Sequence, residues 1–247
     1  MATSIKAAAR RAGLLYLVMA AVMIFAFMYV PGAFVVTGDA SATAHNITQR
    51  ATLYRVGILA ALLSHTLFVF VVLLLYNLFR DVDRKLALLI VALVCVGVAA
   101  ELANLLNRAA PLVLLSGANF LNVFSRVQLE ALAYAFLRLN NTLGQLLMFV
   151  WGLWLIPFGM LVIKSRWFPK VLGILLFIAG GVYLIGCVAR LVFPAFYGII
   201  SPFILPLALG ELGIVLWMSI RGAKEPTVGM NSHFETHNSQ EQHASEH

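Results

Sequence analysis

LALLIVALVCVGVAAELANLLN, residues 86–107, opens with fifteen positions free of charge and closes on Glu101, Asn104 and Asn107, with Arg108 next in line. A bilayer core of roughly 30 Å needs about 20 apolar residues in helix, and this stretch has that length and character. Backbone in hydrocarbon must satisfy its own hydrogen bonds, as a helix or as a closed barrel. No period-two alternation runs through these residues, so helix is the expectation.

Working outward, five more stretches share the composition: Gly13–Val36, Leu53–Phe79, Leu139–Ile163, Val171–Val192 and Phe203–Ile220. With 62% hydrophobic and 11% charged residues over 247 positions, and a mean hydropathy of +0.94, the chain lies outside the range of soluble domains. The expected fold class is all-α, a polytopic membrane protein of six transmembrane helices arranged as three hairpins. No small-x-small cleavage site follows the first span, which is expected to remain as a helix and act as its own insertion signal. The domain reading is an N-terminal segment over 1–12, a membrane domain over 13–220 and a polar tail over 221–247.

Basic residues set the orientation. Lys6, Arg10 and Arg11 precede the first span, Arg80, Arg84 and Lys85 join the second to the third, Lys164, Arg166 and Lys170 join the fourth to the fifth, and Arg221 and Lys224 follow the sixth. The alternate connections carry few, so the positive-inside rule predicts that both termini are cytoplasmic. The +7 net charge is then a topological signal with some attraction to anionic lipid, and it does not point to nucleic acid.

Three spans meet a proline near their outer ends, at Val30-Pro31, Ala110-Pro111 and Phe193-Pro194, which predicts that the helices stop there. Asp39 reads as a helix N-cap, with Ser41–Arg50 extending the second helix outward. Ser125 with Gln128 fits a capping box ahead of the stripe Leu129, Leu132, Phe136 and Leu139, which either lies on the membrane surface or runs straight into the fourth span. Pro111 to Phe124 is too apolar for an ordinary loop. The tail beyond Gly222, with His233, His237, His243 and His247 among polar residues, is expected to be disordered.

The functional signal is polarity inside the spans. An ionisable group near the bilayer centre costs about 2.5–3.5 kcal/mol, so it faces the bundle interior or water and has a partner. The candidates are Arg55, His65, Glu101, Asn104, Arg108, Asn141, Gln145, Arg190 and Glu211. Glu101, Asn104 and Arg108 stand at i, i+3 and i+7, and Arg138, Asn141 and Gln145 repeat the interval, which predicts two polar stripes. By depth, His65 and Glu211 fall near the middle and the others in the outer half, an arrangement that suits an outward-facing polar cavity. The blander alternatives are interhelical hydrogen bonds and snorkelling arginines, and for His65 a satisfied core position.

No HExxH, Walker loop, GxSxG or GxGxxG is present. Cys95 and Cys187 lie within spans with no CxxC or His-Cys spacing, and no cofactor, metal site or catalytic residue is assigned.

Arg11-Ala12-Gly13-Leu14-Leu15-Tyr16-Leu17, Gly38-Asp39-Ala40 with Ala42-Thr43-Ala44 and Asn46-Ile47, and Arg55-Val56-Gly57 are similar to a bacterial membrane family catalogued as domain of unknown function 4386. Leu115-Ser116-Gly117, Phe168-Pro169-Lys170-Val171-Leu172-Gly173 and Gly210-Glu211-Leu212 agree with it. The resemblance implies a multi-span bacterial protein of the cell inner (plasma) membrane and assigns no reaction. His65 and the tail histidines are not part of the matching pattern.

The function expected from the residues is binding or transport of a small anionic or amphiphilic, lipid-like ligand, because arginine outnumbers carboxylate in the spans. Membrane lipid and a small molecule are the expected partners. The alternatives are an intramembrane lipid-modifying enzyme using His65 with Glu101 or Glu211, and a stabilising or sensing subunit without chemistry.

Overall fold

The computed structural model describes residues 4–193, 195, 197–198 and 210–224. Among them every regular element is helical. Five helices are long and apolar enough to cross a membrane: α1 (Ile5–Phe34), α3 (Ala51–Phe79), α4 (Arg84–Leu114), α5 (Arg126–Ser165) and α6 (Lys170–Val192). Between the first two lies α2 (Ala40–Gln49), and α7 (Gly210–Ile220) is a shorter apolar helix. Residues 203–209 of the expected sixth span, Pro194 and the tail from residue 225 lie outside the described residues.

Local chemistry sets the helix starts. Ser4 Oγ accepts from the Ala7 amide, Asp39 Oδ1 from Ala42 at 2.8 Å and Asp83 Oδ1 from Leu86 at 3.1 Å. Ser125 and Gln128 form the expected reciprocal capping box. That box nucleates a 40-residue helix. The segment ahead of Leu139 therefore runs straight into the fourth crossing.

Two expectations change. The helices do not stop at Pro31 or Pro111 but continue three residues further, to Phe34 and Leu114; each proline costs the preceding turn a ladder bond, and ahead of Pro31 that turn widens. The outer extension of the second helix is a separate element, since Arg50 leaves helical geometry at φ −125° and ψ 42° between α2 and α3. The Pro111–Phe124 segment finishes α4 and then forms a short 3-10 turn, Asn119–Leu121, that buries Leu121.

α3 packs on α1 and α4, α5 on α4 and α6, and α7 on α6 and α1, which closes six helices into a ring. An aromatic series fills the ring toward one end: Phe68 against Trp154, Trp154 stacked on Phe158 at 5.3 Å, Phe158 edge-on to Phe79, and Phe79 on Phe168. The outside of the bundle is an apolar belt that includes Val18, Leu59, Phe70, Val96 and Ile185. Such a surface matches lipid, and the chain is a multi-pass membrane protein.

At the aromatic end the start of α1, the α3–α4 and α5–α6 turns and the end of α7 meet. Arg10 donates to the Ile220 carbonyl at 3.0 Å, the Lys224 amide to Trp167, and Lys164 pairs with Asp83 at 2.8 Å. Eleven of the 17 Lys and Arg residues belong to these segments, so this is the basic end.

Lys164 and the Leu86 amide hold the Asp83 carboxyl below the usual carboxylate range. A group with a depressed folded pKa adds stability above its unfolded value and loses it as pH falls through the folded one. Acidification below about pH 4 is therefore expected to loosen this end. Comparing melting of wild type and Asp83→Asn from pH 7 to pH 3 checks it: the variant should show the shallower acid dependence, and parallel curves would refute the pairing.

Candidate functional site

Between α5 and α6 the backbones touch at two glycine pairs. A Cβ added to Gly152 would stand 2.7 Å from the Gly180 carbonyl, and one on Gly173 would stand 2.9 Å from that of Gly159. The reciprocal distances are the same within 0.1 Å, as an antiparallel pair requires. The two contacts are seven residues apart on each helix. One more step of seven, away from the basic end, replaces glycine with Gln145 on α5 and Cys187 on α6. Side chains there hold the helices apart, and two adjoining hollows open, of about 120 and 160 Å³.

Gln145, Cys187 and Arg190 line both hollows. Thr142, Leu146 and Leu191 complete the smaller, while Met148, Tyr183 and Tyr197 help to line the larger. Gln145 Nε2 donates to Asn141 Oδ1 at 2.8 Å, and its Oε1 is buried with no hydrogen-bond partner among the described residues. The Arg190 guanidinium lies over the Tyr197 ring at 4.9 Å. Among the described residues no carboxylate stands within ion-pair distance of it.

The remaining candidates form other groups. Across the α4–α5 interface Asn104 Nδ2 donates to the Asn140 carbonyl at 3.0 Å, and Asn140 Nδ2 donates to that of Asn104 at 3.2 Å. Asn104 Nδ2 also reaches Glu101 Oε2 at 3.3 Å, and Asn107 donates to Asn104 Oδ1. Gly144 faces this group, with Glu101 Oε1 at an ordinary contact distance, 3.9 Å, from where its Cβ would be.

Arg108 is buried under α1 and serves that helix. The turn Phe25–Tyr29 widens to π geometry, in which the Val30 amide bonds the Phe25 carbonyl. The next donor in that register is Pro31, which has none, so the Ala26 carbonyl is left over. Arg108 Nη2 donates to it and stacks on Phe27 at 5.4 Å, while Tyr54 donates its hydroxyl to the Arg108 carbonyl at 2.6 Å.

His65 is a satisfied core residue: its Nδ1 donates to the Ala61 carbonyl at 2.8 Å and its ring meets Phe27 edge-on. Glu211 on α7 accepts from the Tyr16 hydroxyl, with Tyr183 in electrostatic reach.

Arg55 and Asn141 are exposed, and Asn141 meets the hollow only through its bond from Gln145. The face of α5 that meets α4 carries Asn140 and Gly144, one position round from the expected stripe of Arg138, Asn141 and Gln145. That rotation turns Arg138 outward and sends Gln145 toward α6. Sequence reasoning missed Tyr16, Tyr54, Tyr183 and Tyr197 as polar partners. The heptad of glycines was the available signal for Cys187 and for the position of the hollows.

A model of the family described as domain of unknown function (DUF4386) matches residues 11–222. The chain belongs to that family. No curated protein and no solved structure matches it. The DUF4386 match thus spans all seven helices except the first turns of α1 and supports the membrane assignment.

Proposed function

We propose that this DUF4386 chain crosses a bacterial inner membrane six times, with the basic end and both termini in the cytoplasm. Between α5 and α6 it binds a small anionic or amphiphilic ligand in the outer half of the bilayer. The positive-inside rule supports the orientation, since the structure collects the basic connections at one end. The binding reading is carried by Gln145 Oε1, a buried acceptor that among the described residues has no donor, in a hollow it shares with Arg190, which among them has no carboxylate partner. An unsatisfied buried polar atom costs about 1–3 kcal/mol, which a bound donor would recover.

The intramembrane-enzyme alternative finds less support. His65 is committed to Ala61 and Phe27, and among the described residues no three of His, Cys, Asp and Glu converge as a metal site.

Thermal melting of the purified protein titrated with sn-glycerol 3-phosphate and with phosphatidylglycerol micelles tests the proposal. Either probe should stabilise wild type saturably, and Arg190→Ala should weaken the effect about tenfold or more, as expected for a charge-assisted bond. Absence of protection by both probes would overturn it.

A further inference from the structure

We infer that the occupant of the α5–α6 hollow is a membrane phospholipid admitted sideways. Its phosphodiester would lie against Arg190, and an N–H or O–H donor of its headgroup would meet Gln145 Oε1. The inference rests on the binding reading above and adds the ligand class and the route. Size is the first reason. Pockets that enclose a drug-sized molecule run to about 300–1,000 Å³, whereas a space near 150 Å³ holds something like benzene. Hollows of about 120 and 160 Å³ therefore take a headgroup and leave the rest of an amphiphile outside. What stands outside is apolar: Leu146, Val188 and Leu191 are exposed at 39%, 46% and 68%.

Depth agrees. Arg190 is 20 residues along α6 from Lys170, or about 30 Å at 1.5 Å per residue. That equals the roughly 30 Å hydrocarbon thickness, so the guanidinium stands where outer-leaflet phosphates begin. Toward the basic end the Gly152–Gly180 contact shuts the seam, which makes the hollow a blind recess rather than a passage.

The chemistry selects further. A guanidinium stacked on Tyr197 keeps its N–H edge for an in-plane phosphate. Gln145 gives one Nε2 hydrogen to Asn141 and presents Oε1 as an acceptor, which a phosphate oxygen cannot satisfy and an ammonium or hydroxyl hydrogen can. Phosphatidylethanolamine and phosphatidylcholine share their net charge and differ in that donor.

Reconstitution into nanodiscs holding both lipids in equal amount, followed by native mass spectrometry of the released protein, decides the matter. Wild type should retain phosphatidylethanolamine over phosphatidylcholine by about tenfold, the scale of one hydrogen bond to a buried acceptor. Gln145→Leu should bring the preference close to unity while still holding phospholipid, and Arg190→Ala should lose both lipids. Arg190→Lys, which keeps the charge, should retain the preference and guards against misfolding of the alanine variant. Equal retention of the two lipids by wild type, or an undiminished preference in Gln145→Leu, would overturn the inference. Arg190-dependent binding of sn-glycerol 3-phosphate without lipid retention would remove the phospholipid and leave the binding reading standing.

Discussion

Gly180→Leu is expected to lower the stability of the detergent-solubilised protein by about 3 kcal/mol or more, the upper range for overpacking a tight contact. The Cβ alone would stand 2.8 Å from the Gly152 carbonyl, and a helix backbone has no rotamer with which to yield. α5 and α6 must then separate, which also loosens the Gly159–Gly173 contact on the same seam. In lipid this seam is held by close van der Waals approach, so separation is not offset by burial elsewhere. Gly181 provides the control one residue on, because a Cβ there meets nothing within 4 Å. Gly181→Ala should match or exceed wild type, given that alanine is favoured over glycine in helix by about 1 kcal/mol. Gly152→Ala and Gly180→Ala combined should cost less than the sum of the two, since either one already parts the same pair. Indistinguishable melting of Gly180→Ala and Gly181→Ala would refute the zipper.

The second large effect is expected at Arg108. Arg108→Ala removes the donor that the Ala26 carbonyl takes in place of the missing Pro31 amide, and with it the stacking on Phe27. A hydrogen bond from a charged group contributes about 1.5–3 kcal/mol, so a loss of about 2 kcal/mol or more is expected. Relief from desolvating the guanidinium acts in the opposite direction. It offsets part of that contribution, since Arg108 is buried, but the variant also leaves the Ala26 carbonyl buried without its donor. Pro31→Ala supplies a backbone N–H to the same turn. In the Arg108→Ala background it should recover part of the loss, a coupling that a double-mutant cycle measured by melting would show. Strict additivity would mean that the guanidinium does not stand in for the proline.

Where residues act through their own neighbours, the chain could be read locally. The caps at Asp39 and Ser125 follow from one side chain and the amide three residues on, and both are in place. Pro31 misled because the carbonyl it frees, Ala26, is taken up by Arg108 from another helix, a partner that local reading does not see. Glu101, Asn104 and Arg108 all proved buried, yet they serve different neighbours, the first two facing α5 and the last α1. Gln145 and Arg190 line one recess, while Glu211 engages Tyr16.

By itself the amino-acid order determined the solvent of this protein, its helical class and the end at which its positive charge collects. Those properties come from totals and from position along the chain, and they survive any rotation of a helix about its axis. The tertiary structure decided which side of each helix faces inward. Arg55 points out, Asn140 instead of Asn141 meets α4, and Gln145 turns to α6. A helix that is apolar on nearly every side has no stripe to specify its rotation. In lipid that choice falls to the closest backbone contacts, here the glycines of α5 and α6.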